Sequence, residues 1–165
     1  MTGYLLPDDI IALARRVVEE NAAAGRRIAL AESCTGGLVS AALTEVPGSS
    51  AVLDRGFVTY SNEAKMEALG VQQDIIEAFG AVSVATAWAM AQGALKHSAA
   101  DVAVAVSGVA GPDGGTDLKP VGTVVFALAV RGNPKVNADE RLLEGGNRSE
   151  IRHQAVLTAL ELLLP

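Results

Sequence analysis

The stretch RIALAESCTGG, Arg27 to Gly37, decides the fold. Its first six residues are a short, mostly apolar run, which fits a buried strand. The residues after it, 35–46, read as a helix closed by Pro47-Gly48-Ser49-Ser50. A strand running straight into a helix sets side chains at the carboxyl edge of a sheet, where open α/β folds bind ligands. The same junction turns free backbone N–H groups and the positive helix end toward whatever sits there.

The same alternation extends on both sides. Upstream, residues 7–24 repeat apolar positions at helical spacing (Ile10, Ile11, Leu13, Ala14, Val17, Val18), with Pro7 and two acids at the start and Gly25 at the stop. Downstream, residues 52–60 are rich in β-branched and aromatic residues and predict a second strand. Ser61 and Asn62 offer an N-cap for a short helix ended by Gly70, and residues 73–79 predict another. Residues 83–99 are Ala-rich and predict a long helix. DVAVAVS (101–107) alternates as a third strand, and residues 108–120 are a loop with four glycines and two prolines. Residues 122–130 are almost wholly apolar, as a central strand would be, and residues 135–143 predict an edge strand. Asn147 caps a last helix reaching residue 164. Strands alternating with helices predict a three-layer α/β/α sandwich with a mixed, mostly parallel sheet.

Composition narrows the function. With 165 residues, half of them hydrophobic and 19% charged, the chain reads as one domain, 1–165, with a single core and no disordered tract. Thirteen basic against nineteen acidic residues leave −6, which excludes tracking a phosphate backbone, so no nucleic-acid partner is expected. No apolar run is long enough to span a bilayer, residues 1–10 lack the pattern of a secretory leader, and a cytoplasmic location is expected. One cysteine, Cys34, gives neither an intrachain disulfide nor a multi-cysteine metal site, and neither metal nor organic cofactor is expected.

Four groups of residues carry candidate chemistry. In Glu32-Ser33-Cys34-Thr35-Gly36-Gly37, Ser33 sits where a nucleophile would meet N–H groups able to stabilise an oxyanion, and the glycines allow close approach to the backbone. The plainer alternative is that Ser33 or Thr35 only caps the helix. Cys34 is a second candidate nucleophile but fits a small buried residue better. In Tyr60-Ser61-Asn62-Glu63-Ala64-Lys65, an uncharged lysine can take a serine proton if burial and the helix end lower its pKa from ~10.4 toward neutrality, and Tyr60 can relay that proton. A surface lysine beside Glu63 is the alternative. Ser107-Gly108-Val109-Ala110-Gly111 opens a glycine loop at the same sheet edge, spelled neither as a dinucleotide fingerprint nor as a P-loop, and able to be either an N–H nest or a plain turn. Arg148 and Arg152, four apart at the start of the last helix, share a face and can clamp an anion or pair with nearby acids. His97 and His153 read as structural.

Taken in order, AESCTGG (31–37), GFVTYSNEAK (56–65), SGVAGPDGGT (107–116), KPVGTV (119–124) and NRSEIRHQA (147–155) resemble the CinA C-terminal domain, or nicotinamide-nucleotide amidase, family. The length resembles its stand-alone form. The resemblance implies a three-layer α/β/α fold and hydrolysis of the primary amide of nicotinamide mononucleotide to nicotinic acid mononucleotide and ammonia, without a cofactor. It implies Ser33 as nucleophile and Lys65 and Tyr60 as the residues that activate it. Around the substrate it points to Thr35, Gly36, Gly37, Ser107, Gly108, Gly111, Arg148 and Arg152. Two departures stand out: Ser107 replaces a frequent Thr, keeping the hydroxyl, and Asn147 replaces the Asp that usually precedes the Arg. Partners are then a small nucleotide substrate and other copies of the chain, through the Ala-rich helix, with no membrane contact. A non-catalytic nucleotide-binding module and a protein-partner module remain as alternatives.

Overall fold

The computed structural model describes residues 3–165. In chain order it runs α1 (Asp8–Ala24), β1 (Ile28–Glu32), α2 (Leu38–Thr44), a 3-10 turn (Ser49–Ala51), β2 (Leu53–Val58), α3 (Asn62–Leu69), α4 (Gln73–Phe79), α5 (Val84–Lys96), β3 (Val102–Gly108), β4 (Thr123–Val130), β5 (Ala138–Leu142) and α6 (Arg148–Leu162). The five strands form one sheet in the order β2-β1-β3-β4-β5. β1 pairs in parallel with β2 and β3, while β4 runs antiparallel to both β3 and β5. The expected α/β sandwich with a mixed sheet is therefore present, with β4 the one reversed strand.

Alternation along the strands builds the layers. Ile28, Leu30, Val102, Val104, Val106, Val124 and Phe126 pack with α1, α2 and α6 on one face. Their neighbours Ala29, Ala31, Ala103, Ala105, Val125, Ala127 and Ala129 face α5 and the end of α3. Successive side chains point to opposite faces, so each strand divides its residues between the two helical layers. The face toward α5 is nearly all alanine, and α5 answers with Ala87, Met90, Ala91 and Ala94, all fully buried. The small-residue face of α5 thus packs on the sheet.

The connections place the site. The chain leaves β1 through α2 on one face to reach β2, then returns through α3, α4 and α5 on the other face to reach β3. The crevice beyond the carboxyl ends of β1 and β3 is therefore the topological switch point of the sheet.

Caps and turns explain the element ends. Ser61 accepts a hydrogen bond from the Ala64 amide (3.0 Å) and Asn147 accepts one from the Glu150 amide (3.0 Å), so both expected N-caps form. α2 starts at Leu38, three residues later than its apolar pattern suggests, because Gly36 and Gly37 adopt left-handed backbone (φ +60° and +95°) and hold residues 33–37 in turns. β5 is shorter than residues 135–143 and pairs only with β4, as an edge strand does. His97 is the C-cap of α5, and His153 pairs with Asp9 (2.7 Å), tying α6 to α1.

Candidate active site

The parallel register aligns three hydroxyl residues across the sheet edge. Glu32 lies opposite Val58 and Val106, so the next residues, Thr59, Ser33 and Ser107, follow side by side on β2, β1 and β3. By alternation all three side chains fall on the face that carries Ala31 and Ala105, beneath α3 and α5. The first turn of α3 brings Lys65 over this row.

Lys65 is 1% exposed, and its amine meets three oxygens: Ser33 Oγ at 3.0 Å, the Thr59 carbonyl at 2.8 Å and the Tyr60 carbonyl at 3.3 Å. Burial lowers the Lys65 pKa below that of a free lysine, against a smaller opposing effect of Cys34. A neutral amine has two N–H donors and one lone pair. Two carbonyls can take both donors, which leaves the lone pair for the Ser33 hydroxyl. Such an arrangement can serve as a general base acting on a serine hydroxyl.

The carboxylate next to Ser33 in the chain is turned away. Glu32, fully buried, alternates to the opposite face and accepts four hydrogen bonds, from Thr35 Oγ1 (2.8 Å), the Val39 amide (2.9 Å), the Ser40 amide (3.1 Å) and Ser40 Oγ (2.8 Å). Cys34, beside Ser33, is 5% exposed, and burial pushes its thiol pKa up to about 11, which keeps it protonated at neutral pH. Of the two, Ser33 is the one whose side chain contacts the Lys65 amine.

A cleft of about 270 Å³ opens above Ser33. Lys65, Tyr60, Ser107, Gly108, Gly111 and Arg148 line it, together with Cys34. Tyr60 is 64% exposed; its hydroxyl accepts a hydrogen bond from Arg148 (3.1 Å), while Arg148 also donates to the Gly111 carbonyl (2.7 Å). The tyrosine thus reaches Lys65 through its carbonyl and Arg148 through its hydroxyl. Ser107 Oγ donates to the Ala81 carbonyl (3.0 Å), joining the glycine loop to the segment before α5.

A profile of the CinA C-terminal domain matches residues 10–165, nearly the whole chain. This chain belongs to the CinA C-terminal domain family. A CinA-like protein of Mycolicibacterium paratuberculosis is 56% identical over 143 residues, which are 85% of this chain and 33% of that protein. The chain spans about a third of the length of the curated relatives it matches. Among solved structures, a competence/damage inducible protein from Agrobacterium tumefaciens superposes with a TM-score of 0.92 at 52% identity, covering 96% of each chain. A CinA superfamily protein from Klebsiella pneumoniae gives 0.88 at 39% identity, covering 93% of this chain and 94% of its own.

Within this CinA domain, the residues expected around a ligand separate into two sets. Ser33, Lys65, Tyr60, Ser107, Gly108, Gly111 and Arg148 converge on the cleft. Thr35, Gly36, Gly37 and Arg152 do not line it. Thr35 is fully buried and spends its hydroxyl on Glu32. Gly36 and Gly37 shape the turn, and Arg152 donates to the carbonyls of Cys34 (3.0 Å) and Thr35 (3.3 Å), so it braces the turn from below. The two arginines share a helix face but serve different groups. Val109, Ala110, Asp113 and Gly114 also line the cleft, within the glycine loop singled out from sequence, whereas sequence reasoning missed Ala81 and Val82. Ala81 and Val82 carry no motif, and only their position between Gly80 and the Ser83 N-cap hinted at a loop near the sheet edge.

Proposed function

We propose that this protein is an amidase that hydrolyses the primary carboxamide of nicotinamide mononucleotide to nicotinic acid mononucleotide and ammonia through an acyl-enzyme on Ser33. The observation that carries this reading is the buried Lys65 amine, 3.0 Å from Ser33 Oγ, with two carbonyls to absorb its N–H donors. The sequence resemblance to nicotinamide-nucleotide amidases, consistent with membership of the CinA C-terminal family, supports the choice of substrate.

The steps follow from these positions. Ser33 Oγ attacks the carboxamide carbon and its proton passes to Lys65 Nζ. The Ser33 amide is already bonded to the Val106 carbonyl (2.9 Å), so oxyanion donors must come from further along. Cys34 lines the cleft, and its amide, which donates to no other residue among those described, suits that role. Collapse of the tetrahedral adduct breaks the C–N bond, and the Nζ proton leaves with the nitrogen as ammonia. Water then attacks the acyl carbon, giving its proton to Nζ; the C–Oγ bond breaks and Ser33 regains the proton. In this reading Arg148, which lines the cleft, would hold the nucleotide's phosphate or ribose end.

The test is ammonia release from nicotinamide mononucleotide by the purified protein, with and without chelator, beside Ser33→Ala. Release that survives chelation and vanishes in the variant supports the serine amidase. Full turnover by a folded Ser33→Ala protein sinks the nucleophile assignment. Absence of release, with thermal stabilisation by the nucleotide, transfers support to a binding module.

A further inference from the structure

We propose that Glu32, through Thr35 and Ser40, is a positioning residue that holds Ser33 in line with Lys65; this rests on the serine-amidase reading above. A strand-to-helix junction normally caps its helix with its own hydroxyl residues. Here the N-cap of α2 is Gly37, which has no side chain to offer. The first-turn donors of α2, the amides of Val39 and Ser40, go instead to Glu32, which reaches forward from the preceding strand. A carboxylate at this helix end is also favoured by the dipole. Neither Ser33 nor Thr35 caps the helix, so the Ser33 hydroxyl is left for Lys65.

The lock closes around the nucleophile. Thr35 Oγ1 bonds to Glu32 Oε1, pinning the two residues that bracket Ser33 and Cys34. The Ser33 amide is held by Val106 and its carbonyl accepts from the Gly36 amide (3.0 Å). Arg152 secures the next two carbonyls. Gly56, in the middle of β2, fits the same device: a Cβ there would lie 2.3 Å from Ser40 Oγ. A glycine weakens a strand interior, and here it leaves the room that lets Ser40 reach Glu32.

Glu32→Gln discriminates this role. Each carboxylate oxygen faces one backbone N–H and one hydroxyl. A hydroxyl can turn to accept, but a backbone N–H cannot, so either orientation of the glutamine amide sets an NH₂ against an N–H. Thr35→Val removes one hydroxyl donor at nearly constant shape, and Thr35→Ser keeps it.

The experiment follows Ser33 phosphonylation by a fluorophosphonate probe, read by intact mass: the Oγ–P bond forms, fluoride leaves, and the proton goes to Lys65. A misplacement of about 1 Å costs on the order of 100-fold. Glu32→Gln and Thr35→Val are expected to label about 10- to 100-fold more slowly as folded proteins, with Thr35→Ser close to wild type. The pH at which labelling by Thr35→Val rises is expected to match wild type, because Glu32 is not the counter-ion of Lys65. Wild-type labelling rates in both weakened variants overturn the positioning role, as does a shifted pH profile in Thr35→Val. Labelling of wild type without ammonia release from the nucleotide overturns the amidase substrate and leaves the lock standing. No labelling of wild type overturns both.

Discussion

Replacing Lys65 with Met tests the centre of the mechanism, because it keeps an unbranched side chain of similar length and removes only the amine. A positioned general base contributes about 10²- to 10⁴-fold. At about 1.4 kcal/mol per factor of ten, Lys65→Met is expected to raise the barrier by roughly 3–5 kcal/mol, with kcat falling accordingly and nucleotide affinity little changed. Stability carries a second, independent signature. The variant loses the donor to the Thr59 and Tyr60 carbonyls, worth about 1 kcal/mol each. Against this, wild type must bury an amine that burial makes hard to charge. Since the folded Lys65 pKa lies below the ~10.4 of the unfolded chain, the unfolded state binds more protons between those two values. Wild-type stability, measured relative to the variant, therefore rises with pH across that window, by up to about 1.4 kcal/mol per pH unit. Urea unfolding of both proteins from neutral pH to pH 10, with other titrating groups cancelling in the difference, reads this slope. Ammonia release on the same samples reads kcat. A pH-independent stability difference, together with kcat within tenfold of wild type, would refute a neutral buried base.

Three more outcomes follow from the same geometry. Tyr60→Phe removes the hydroxyl that accepts from Arg148, and Arg148→Ala removes the cation itself; both are expected to raise KM for the nucleotide, the arginine by about 10- to 100-fold, since hydrogen bonds to charged groups contribute about 1.5–3 kcal/mol. A large fall in kcat at unchanged KM in Tyr60→Phe would instead make the phenol a proton relay. Native Cys34, with its pKa pushed up to about 11 by burial, should resist iodoacetamide at pH 8 and react readily once unfolded; fast stoichiometric alkylation of the native protein would contradict the burial argument. Thr59 Oγ1 is buried without a hydrogen-bond partner among the described residues, so Thr59→Val should raise unfolding free energy by about 1 kcal/mol, and a loss of that size in denaturant titration would show that the hydroxyl is satisfied in solution.

What the sequence made legible followed from local periodicity. The run at residues 101–107 alternates enough to be read as a strand, which forms at Val102–Gly108, and α4 falls on the residues expected. Ser61 and Asn147 were legible as caps because they bond to amides only three residues ahead. Long-range contacts were not. The start of α2 was misplaced because its cap comes from Glu32, seven residues before Val39, and nothing in the junction's composition announces a carboxylate reaching forward. Arg148 and Arg152 lie four apart on a helix, which shows that they share a face but not that one meets the cleft and the other the carbonyls beneath Ser33. Lys65 stood 32 positions from Ser33, and local pattern left it as readily a surface residue; only the fold closes that gap.

The site depends on register more than on any single side chain. Ile28, Leu30 and Glu32 face the layer of α1, α2 and α6, while Ala29, Ala31 and Ser33 face that of α3 and α5. A slip of one residue along β1 would exchange the two sets. Glu32 would then stand beneath Lys65, where an opposite charge favours the ammonium and removes the lone pair that a general base needs. Ser33 would pass to the α2 side as one more helix cap. The isoleucine and leucine that lock this strand into the larger core also make that slip costly, because they would have to enter the alanine-lined face against α5. Core packing on one side of the sheet thus keeps the carboxylate and the amine apart. In that separation the amine meets Ser33 while the carboxylate one residue before it stays on the other side of the sheet.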